Sequence, residues 1–365
     1  MNRLIIIGNG FDLAHGIKTS FNDFVSDYLC NVVNSLLNRQ NYKDPLIEVN
    51  ILEYNWWAFR NPMGNPIDKS QIFEAIEAII NSNNYQLNFV SLLFERIYSK
   101  CSSLLWVDIE IEYFNILLAT KHEHNDDDQV EAIKKVNDQL DFLKSKLVEY
   151  LKKQQLEFGG VKNKLPLLDC FCEEIKSHEI VTMDIENDLL PEKLYFLNFN
   201  YTNTIESYVS LCREKIETDY NFIHGDLHEN NGKPIFGFGD ELDKKYLEFE
   251  DEKNNELFKH IKSFEYLRTK NFYLLTRFIE SNDFQVHIYG HSCGVSDRTM
   301  LSQIFEHKNC KSVKIFYHQK SEDETDFTEK TYEISRHFRD KTMLRRKLVP
   351  FALSQSMPQP ENLNQ

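Results

Sequence analysis

The sequence contains no CxxC motif, and its seven cysteines are scattered and odd in number. That pattern excludes a disulfide framework or a zinc ribbon and fits reduced thiols in a cytoplasm. There is no cationic leader, no signal-peptide core and no apolar run of ~20 residues, so neither a secretory signal nor a membrane span is expected. Basic charge is not in excess either. The net charge is −15, which argues against nucleic acid as a general partner, because neutralising phosphates dominates that affinity. A local exception is the tract Arg336, Arg339, Lys341, Arg345, Arg346 and Lys347, which could meet phosphate or an acidic partner but reads first as a solvated helix face. Internal repeats and long low-complexity segments are also missing.

What is present is an ordinary globular composition over 365 residues, 41% hydrophobic and 27% charged, with 27 Phe and 17 Tyr. The length accommodates one large α/β domain with an insertion, or two domains. The chain is organised around Leu4–Ser20, LIIIGNGFDLAHGIKTS. Leu4-Ile5-Ile6-Ile7 has no polar alternation and reads as a parallel strand covered on both faces. Gly8 and Gly10 then allow a sharp turn and a close approach to a ligand, for which a nucleotide phosphate is the natural guest. The dinucleotide fingerprint would place a third glycine at Leu13, and the next glycine is Gly16. The stretch therefore fits equally the first strand of any α/β domain.

After it, Ser20 with Asp23 reads as a capping box opening a helix through Phe21, Phe24, Val25 and Tyr28. Residues 39–68 read as a folded loop holding the pair Trp56-Trp57. Residues 68–157 read as helical, ending in an amphipathic run with Val130, Ile133, Val136, Leu140, Leu143, Leu147 and Leu151 on one stripe. Within it, Trp106-Val107-Asp108-Ile109-Glu110 reads as a helix start capped by Asp108, with Glu110 or Glu112 as a carboxylate that could reach a cleft. Strands are expected at 194–200, 220–227, 234–239, 285–292 and 312–318, and helices at 202–216, about 254–281 and 297–307, with Asn203 and Glu206 as a second capping pair. The alternation predicts a Rossmann-like α/β fold with a parallel sheet: a nucleotide-binding-type core at 1–38 and 190–347, a mainly helical insertion at 39–189, and a flexible tail at 348–365.

Ligands of open α/β sheets bind beyond the carboxyl ends of the strands, where this chain collects Asn9, Asp12 and His15, then Asn198, Asn200 and Asn203, then His224 and Asp226, then His291, Ser292 and Asp297. GNGFDLAHGIKTSFNDF, WVDIE, LNFNYTNTIE, FIHGDL with the following FGFG, and IYGHSCGVSDRTML, in that order, resemble the AbiH family of bacteriophage abortive-infection proteins. The same order resembles, more distantly, the sirtuin-like NAD-consuming domains of prokaryotic antiviral systems. That resemblance implies an NAD cleft and no required cofactor beyond NAD as substrate or ligand. In it Asn200 and His224 would be catalytic, and Gly8, Asn9, Gly10, Asp12, Thr202, Asn203, Gly290, Ser292 and Asp297 would contact the nucleotide. Gly8, Asn9 and Gly10 would hold the diphosphate, and Ser292 and Asp297 would sit near the adenosine half. One departure is Thr202, which stands where the related motif has Asp. With Cys170 and Cys172 as the sole close pair, the zinc ribbon of protein-deacylating sirtuins is missing, so the implied chemistry is NAD glycohydrolysis. Unregulated NAD loss would kill the host, which implies control through an oligomer, a partner or a phage-derived trigger.

Three other readings compete. Gly290-His291-Ser292-Cys293-Gly294 fits the G-x-S-x-G nucleophile elbow, with His318 or His337 as base and Asp323 or Asp326 as acid. A nucleotide sensor without turnover would keep the cleft and give up catalysis. A metal-dependent nuclease could use Asp12, Glu110 and Asp226, although the acidic surface disfavours it.

Overall fold

The computed structural model describes residues 1–55, 59, 69–100, 106–123, 126–161 and 163–360. Trp56-Trp57, Pro62 and Pro66 lie outside the described residues, as do the side chains of Trp106 and Val107. In chain order the elements begin with β1 (Asn2–Ile7), α1 (Asn9–Ala14), α2 (Phe21–Leu37), β2 (Tyr42–Lys43) and β3 (Ile47–Ile51). Next come α3 (Ile72–Ile80), β4 (Tyr85–Phe89), α4 (Leu92–Lys100), α5 (Trp106–Glu123), α6 (Asp126–Glu157) and α7 (Leu165–Cys172). They are followed by β5 (Lys193–Asn198), α8 (Glu206–Cys212), β6 (Glu217–Phe222), α9 (Leu247–Glu250), α10 (Lys262–Tyr266) and α11 (Asn271–Ser281). The chain closes with β7 (Phe284–Tyr289), α12 (Arg298–Phe305), β8 (Cys310–Tyr317), α13 (Phe327–Arg336), α14 (Lys341–Lys347) and β9 (Gln355–Ser356). No helix among the described residues is long and apolar enough to cross a membrane.

Two compact units emerge, with boundaries at 18/19 and 150/151 rather than at 38/39 and 189/190. The first holds Met1–Lys18, Leu151–Lys253 and His260–Gln365. Its six-stranded sheet runs β6-β5-β1-β7-β8-β9, with every pair parallel. Numbered within the sheet, that is the 3-2-1-4-5-6 order of doubly wound dinucleotide-binding folds, as the Rossmann-like expectation required. Alternate residues of β1 face opposite cores. Leu4 and Ile6 join Val286, Ile288 and Ile304 on one side, and Ile5 and Ile7 join Phe11, Phe196 and Tyr208 on the other. Both faces are dry, which is why the strand shows no polar alternation.

The strands also carry a buried ionic network invisible to a hydrophobic scan. The Arg3 guanidinium, with no exposure, donates to the carbonyls of Phe171 and Glu173 and to Gln285 Oε1. Lys314 Nζ on β8 meets Glu179 at 2.7 Å and Glu173 at 3.1 Å, and Gln285 Nε2 donates to Glu179 as well. Lys314 is paired with carboxylates, while Arg3 is met by carbonyl and amide oxygens, its Nε lacking a partner among the described residues.

Three expectations are corrected in this unit. Residues 234–239 are not a strand; Phe238 makes one isolated parallel bridge to Ile261, and the segment threads tightly, since a Cβ on Gly237 would lie 2.0 Å from the His260 carbonyl oxygen. The helix expected at 202–216 is α8 alone, and its N-cap is Ile205, with no side-chain cap from Asn203. The segment after Lys347, expected to fray, buries Val349 and Met357 and adds β9 to the sheet edge beside β8.

The second unit holds Thr19–Tyr150 and Asn254–Lys259. Ser20 caps α2 as expected, its Oγ accepting from the Asp23 amide at 3.1 Å. The helices expected at 68–157 are present as α3 to α6, but β4 interrupts them and pairs with β3, which with β2 lies in the segment expected as a loop, forming a small antiparallel sheet, β2-β3-β4. Its strands alternate in sequence: Ile47, Val49 and Ile51 with Glu48 and Asn50, then Tyr85, Leu87 and Phe89 with Gln86 and Asn88. Asp108 is the third residue of α5 rather than its cap, and Glu112 pairs with Arg96 and Lys100.

Candidate functional site

Register fixes where the site lies. Ile7 at the end of β1 is opposite Asn198 of β5 and Tyr289 of β7, and Asn198 is opposite Phe222 of β6. The residues that follow each strand therefore emerge along one sheet edge: Gly8-Asn9, Phe199-Asn200, Ile223-His224 and Gly290-His291. The strand order reverses between β1 and β7, so this edge contains the topological switch point at which such sheets bind ligands.

At the switch point the two turns interlock. A Cβ on Gly8 would lie 2.4 Å from His291 Cα, and one on Gly290, whose φ is +66°, would lie 2.2 Å from the Phe11 amide nitrogen. The Gly8 amide donates to Tyr289 O at 3.0 Å and the Gly10 amide to Gly290 O at 2.8 Å. These glycines thus admit a neighbouring backbone, and their amides already have carbonyl partners. Gly16, with φ of +73°, is a helix stop: the Ile17 amide returns to Asp12 O and α1 ends after six residues.

On the β5 side lies a carboxylate cradle. Asp12, on α1 and 1% exposed, accepts a short hydrogen bond from the Thr202 hydroxyl at Oδ2. Burial pushes its carboxyl up from 3.8 to about 6, against the opposing influence of Thr202, Thr204 and Asn200. No donor among the described residues reaches Oδ1 with hydrogen-bonding geometry. The side chain of Asn200 donates to Gly8 O at 3.0 Å, while its amide donates to Asn198 Oδ1 at 3.1 Å. A carboxylate therefore stands beside position 202 after all, supplied by Asp12 from the adjacent strand's helix.

On the β6 and β7 side lies a second cluster. His224 Nε2 is 2.9 Å from the Tyr266 hydroxyl and 3.4 Å from Asp297 Oδ1, and the same oxygen accepts from Lys262 Nζ at 2.8 Å. Burial would raise the Asp297 carboxyl, but the Lys262 ammonium and His224 hold it far below the ordinary range, so it is an anion. His291 Nδ1 accepts from the Cys293 amide at 2.9 Å, which leaves the proton on Nε2, 3.9 Å from Asp297 Oδ2. Burial drops His291 to about 3, so it is neutral. The Phe199 ring bridges the two imidazoles, 5.1 Å from His224 and 4.2 Å from His291. Phe199 follows β5 directly and precedes Asn200, so the two clusters share one wall.

The structure brings together Gly8, Gly10, Asp12, Asn200 and Thr202, and also His224, Gly290, His291 and Asp297. Asn9 and Ser292 are half-buried on the same turns. Asn203 is exposed, with its amide on Gln155 Oε1 at 2.9 Å, and stays out of both clusters. His15 is a core histidine, held between Phe11 O at 2.6 Å and the Tyr208 hydroxyl at 2.7 Å. Asp226 organises its own loop, accepting from the amides of His228 and Asn231. Among the described residues no three His, Cys, Asp or Glu side chains gather as a metal site. The nucleophile-elbow geometry fails as well: the left-handed residues of Gly290–Gly294 are Gly290, φ +66°, and Cys293, φ +56°, and not Ser292, and His337 is engaged with Cys293 O at 2.7 Å.

Lys262 and Tyr266 were not legible as site residues. Their signal lay in FGFG: a Cβ on Gly239 would meet the Ser296 carbonyl oxygen at 2.4 Å and the Lys262 side chain at 3.0 Å, so that glycine lets α10 close on the Asp297 loop.

No curated protein matches the chain. The family described as bacteriophage abortive infection AbiH does match, from residue 4 to residue 319, a span that runs from β1 past the end of β8 and takes in both clusters. The chain belongs to the AbiH family of bacteriophage abortive infection proteins.

Proposed function

We propose that this phage-defence protein is a regulated NAD glycohydrolase whose site is the switch point between β1 and β7. The observation that carries the reading is the convergence of Asn200, His224 and Asp297 on one sheet edge, with a buried anion held ionised beside an imidazole. Nicotinamide leaves NAD as a neutral base, so the bond between ribose C1′ and the pyridinium nitrogen breaks without a general acid. What the reaction needs is a carboxylate to face the oxocarbenium charge, a group to fix ribose or water, and a base for the water proton. Asp297 supplies the first, the Asn200 side chain the second and His224 the third. Water bonds to C1′, the electron pair leaves with nicotinamide, and the water proton passes to His224. Asp12 takes the place of the missing acid at position 202, accepting from the Thr202 hydroxyl.

The test is nicotinamide release from NAD by the purified chain, alone and in lysate of phage-infected cells. Release that disappears in Asn200→Ala and His224→Ala, both still melting cooperatively, supports the reading. Absence of release in both settings rejects it. A sensor without turnover, which keeps the cleft, is the second reading, favoured by Thr202, which stands where the related motif has Asp. It predicts NAD binding without release. In either case killing is held off until infection, which calls for an oligomer, a partner or a phage-derived trigger.

A further inference from the structure

The close cysteine pair of the sequence, Cys170 and Cys172, is not the pair that meets. Two residues apart on α7, their side chains leave the helix on different faces. Cys172 Sγ instead lies 3.9 Å from Cys212 Sγ on α8, 40 residues further along the chain. Packing holds the two sulfurs there. Tyr208, one turn before Cys212 on α8, sets its ring 5.7 Å from that of Phe171, the neighbour of Cys172. The Arg3 guanidinium donates to the carbonyls of Phe171 and Glu173, on either side of Cys172, at 2.9 and 2.7 Å. That grip fixes the end of α7 and places a buried cation beside it.

The two thiols differ in access and in acidity. Cys172 is half-buried, whereas Cys212 has no exposure. The Cys212 thiol against it, with the Lys215 and Arg3 cations, holds Cys172 below the usual thiol value despite burial, while Cys172 and burial push Cys212 up. Cys170 is half-buried too, but burial pushes it up to about 11. One sulfur can therefore meet an oxidant from solution, and a second waits beside it to resolve the product. We propose that Cys172 and Cys212 form a redox-modification site, which a peroxide converts to a disulfide stapling α7 to α8. The Cys172 thiolate bonds to one peroxide oxygen, the O–O bond breaks, and the departing hydroxide takes up the proton that Cys172 gave up, as water. The Cys212 sulfur then bonds to the sulfenic sulfur of Cys172, the S–O bond breaks, and hydroxide leaves with the Cys212 proton as a second water. Two thiols lose two electrons, and one peroxide is reduced to two waters. The sulfurs must close from 3.9 Å to about 2 Å, which the terminal position of Cys172 on α7 allows. In a reducing compartment such a bond is transient, a response to oxidant and not a fixed staple. It needs no NAD turnover.

The experiment treats the purified full chain with hydrogen peroxide in small molar excess, blocks remaining thiols with N-ethylmaleimide in denaturant, and maps peptides by mass spectrometry without reduction. The expected product is a Cys172–Cys212 crosslinked peptide, two hydrogens lighter than its separate parts, which dithiothreitol returns to two thiols. In Cys212→Ala, Cys172 should instead be trapped as the sulfenic acid and be labelled by dimedone; in Cys172→Ser, Cys212 should stay reduced. The oxidised wild type should melt higher than the reduced, because the bond closes a separation of 40 residues in the unfolded chain, and peroxide should leave the melting of Cys172→Ser unchanged. Where a variant fails to fold cooperatively, the wild-type peptide map decides alone. No loss of thiols, a Cys170–Cys172 crosslink, a disulfide between two copies of the chain, or overoxidised Cys172 with Cys212 still free would each overturn the proposal. So would oxidation of Cys212 in Cys172→Ser, since that sulfur would then be open to solvent.

Discussion

Replacing Asp12 by Asn should make the protein more stable near neutral pH and no more stable in acid. Asp12 is buried on α1, and burial raises its carboxyl from 3.8 to about 6, with the help it receives from Thr202 already included. A group raised on folding contributes stability fully present below its unfolded pKa and lost as pH climbs through the folded one. The native chain must therefore bear the cost of a buried anion above pH 6. At 1.36 kcal/mol per pH unit, the gap between 3.8 and about 6 is worth roughly 3 kcal/mol. Asn imitates the protonated acid at every pH, so the difference between variant and wild type should grow by most of that amount, roughly 2.4 kcal/mol, between pH 4 and pH 7. The amide carries a fixed cost of its own, about 1–3 kcal/mol if its NH₂ finds no acceptor. That cost does not vary with pH. The readout is thus the slope and not the offset: urea denaturation of both proteins at half-unit steps from pH 4 to pH 8. Parallel stability curves across the window would refute the claim that Asp12 is a buried carboxylate held out of its ordinary range. Nicotinamide release, measured on the same samples, should fall, because the neutral amide is a weaker acceptor for the Thr202 hydroxyl than a carboxylate is.

Gly290→Ala should cost roughly 2–5 kcal/mol, from left-handed strain plus overpacking against the Phe11 amide, and a thermal melt unchanged from wild type would contradict the interlocked turns. Ser292→Ala should leave nicotinamide release within about twofold, since the left-handed backbone that an elbow needs belongs to Gly290 and Cys293; abolished release in a folded variant would restore the hydrolase reading. Lys314→Ala should cost about 3–5 kcal/mol by leaving Glu179 buried and unpaired, and a denaturation midpoint close to wild type would show that water reaches that carboxylate.

The sheet was legible where burial on both faces produced continuous apolar runs, as in β1, β5 and β7. It was illegible where length or charge hid it. β9 has two residues and exists because Val349 and Met357 anchor its flanks. β3 and β4 did alternate, but β3 lies in a stretch interrupted by proline that reads as a loop, and the five residues of β4 are easily absorbed into the helical reading of 68–157. Arg3, Gln285 and Lys314 lie inside strands as a paired network, which no hydropathy pattern reports. The polar residues at the strand ends were visible as a set, and strand order alone could gather them. Lys262 and Tyr266 come from α10, far along the chain from β5, and nothing in their local sequence points to Asp297.

The glycines of the first turn carry the sharpest lesson about what a motif means physically. A glycine pair after a strand says that something must come close, and leaves open whether it is a ligand or another backbone. Here it is backbone: Gly8 and Gly10 give their hydrogens to Tyr289 and Gly290, and Gly290 returns the contact by admitting Phe11. The turn is thereby a joint between β1 and β7, and it fixes His291 against Phe199 and, through the Asp297 loop, the distance from His224 to its anion. A nucleotide at this edge must find its diphosphate contacts on other groups, such as the half-buried Asn9 side chain. Loosening the joint should accordingly act on turnover before it acts on affinity. Gly10→Ala, whose Cβ would press on Gly290 at 2.8 Å, should lower kcat for nicotinamide release more than it raises KM. The opposite split, KM raised with kcat intact, would assign the glycine to the ligand and return the turn to the role of a phosphate cradle.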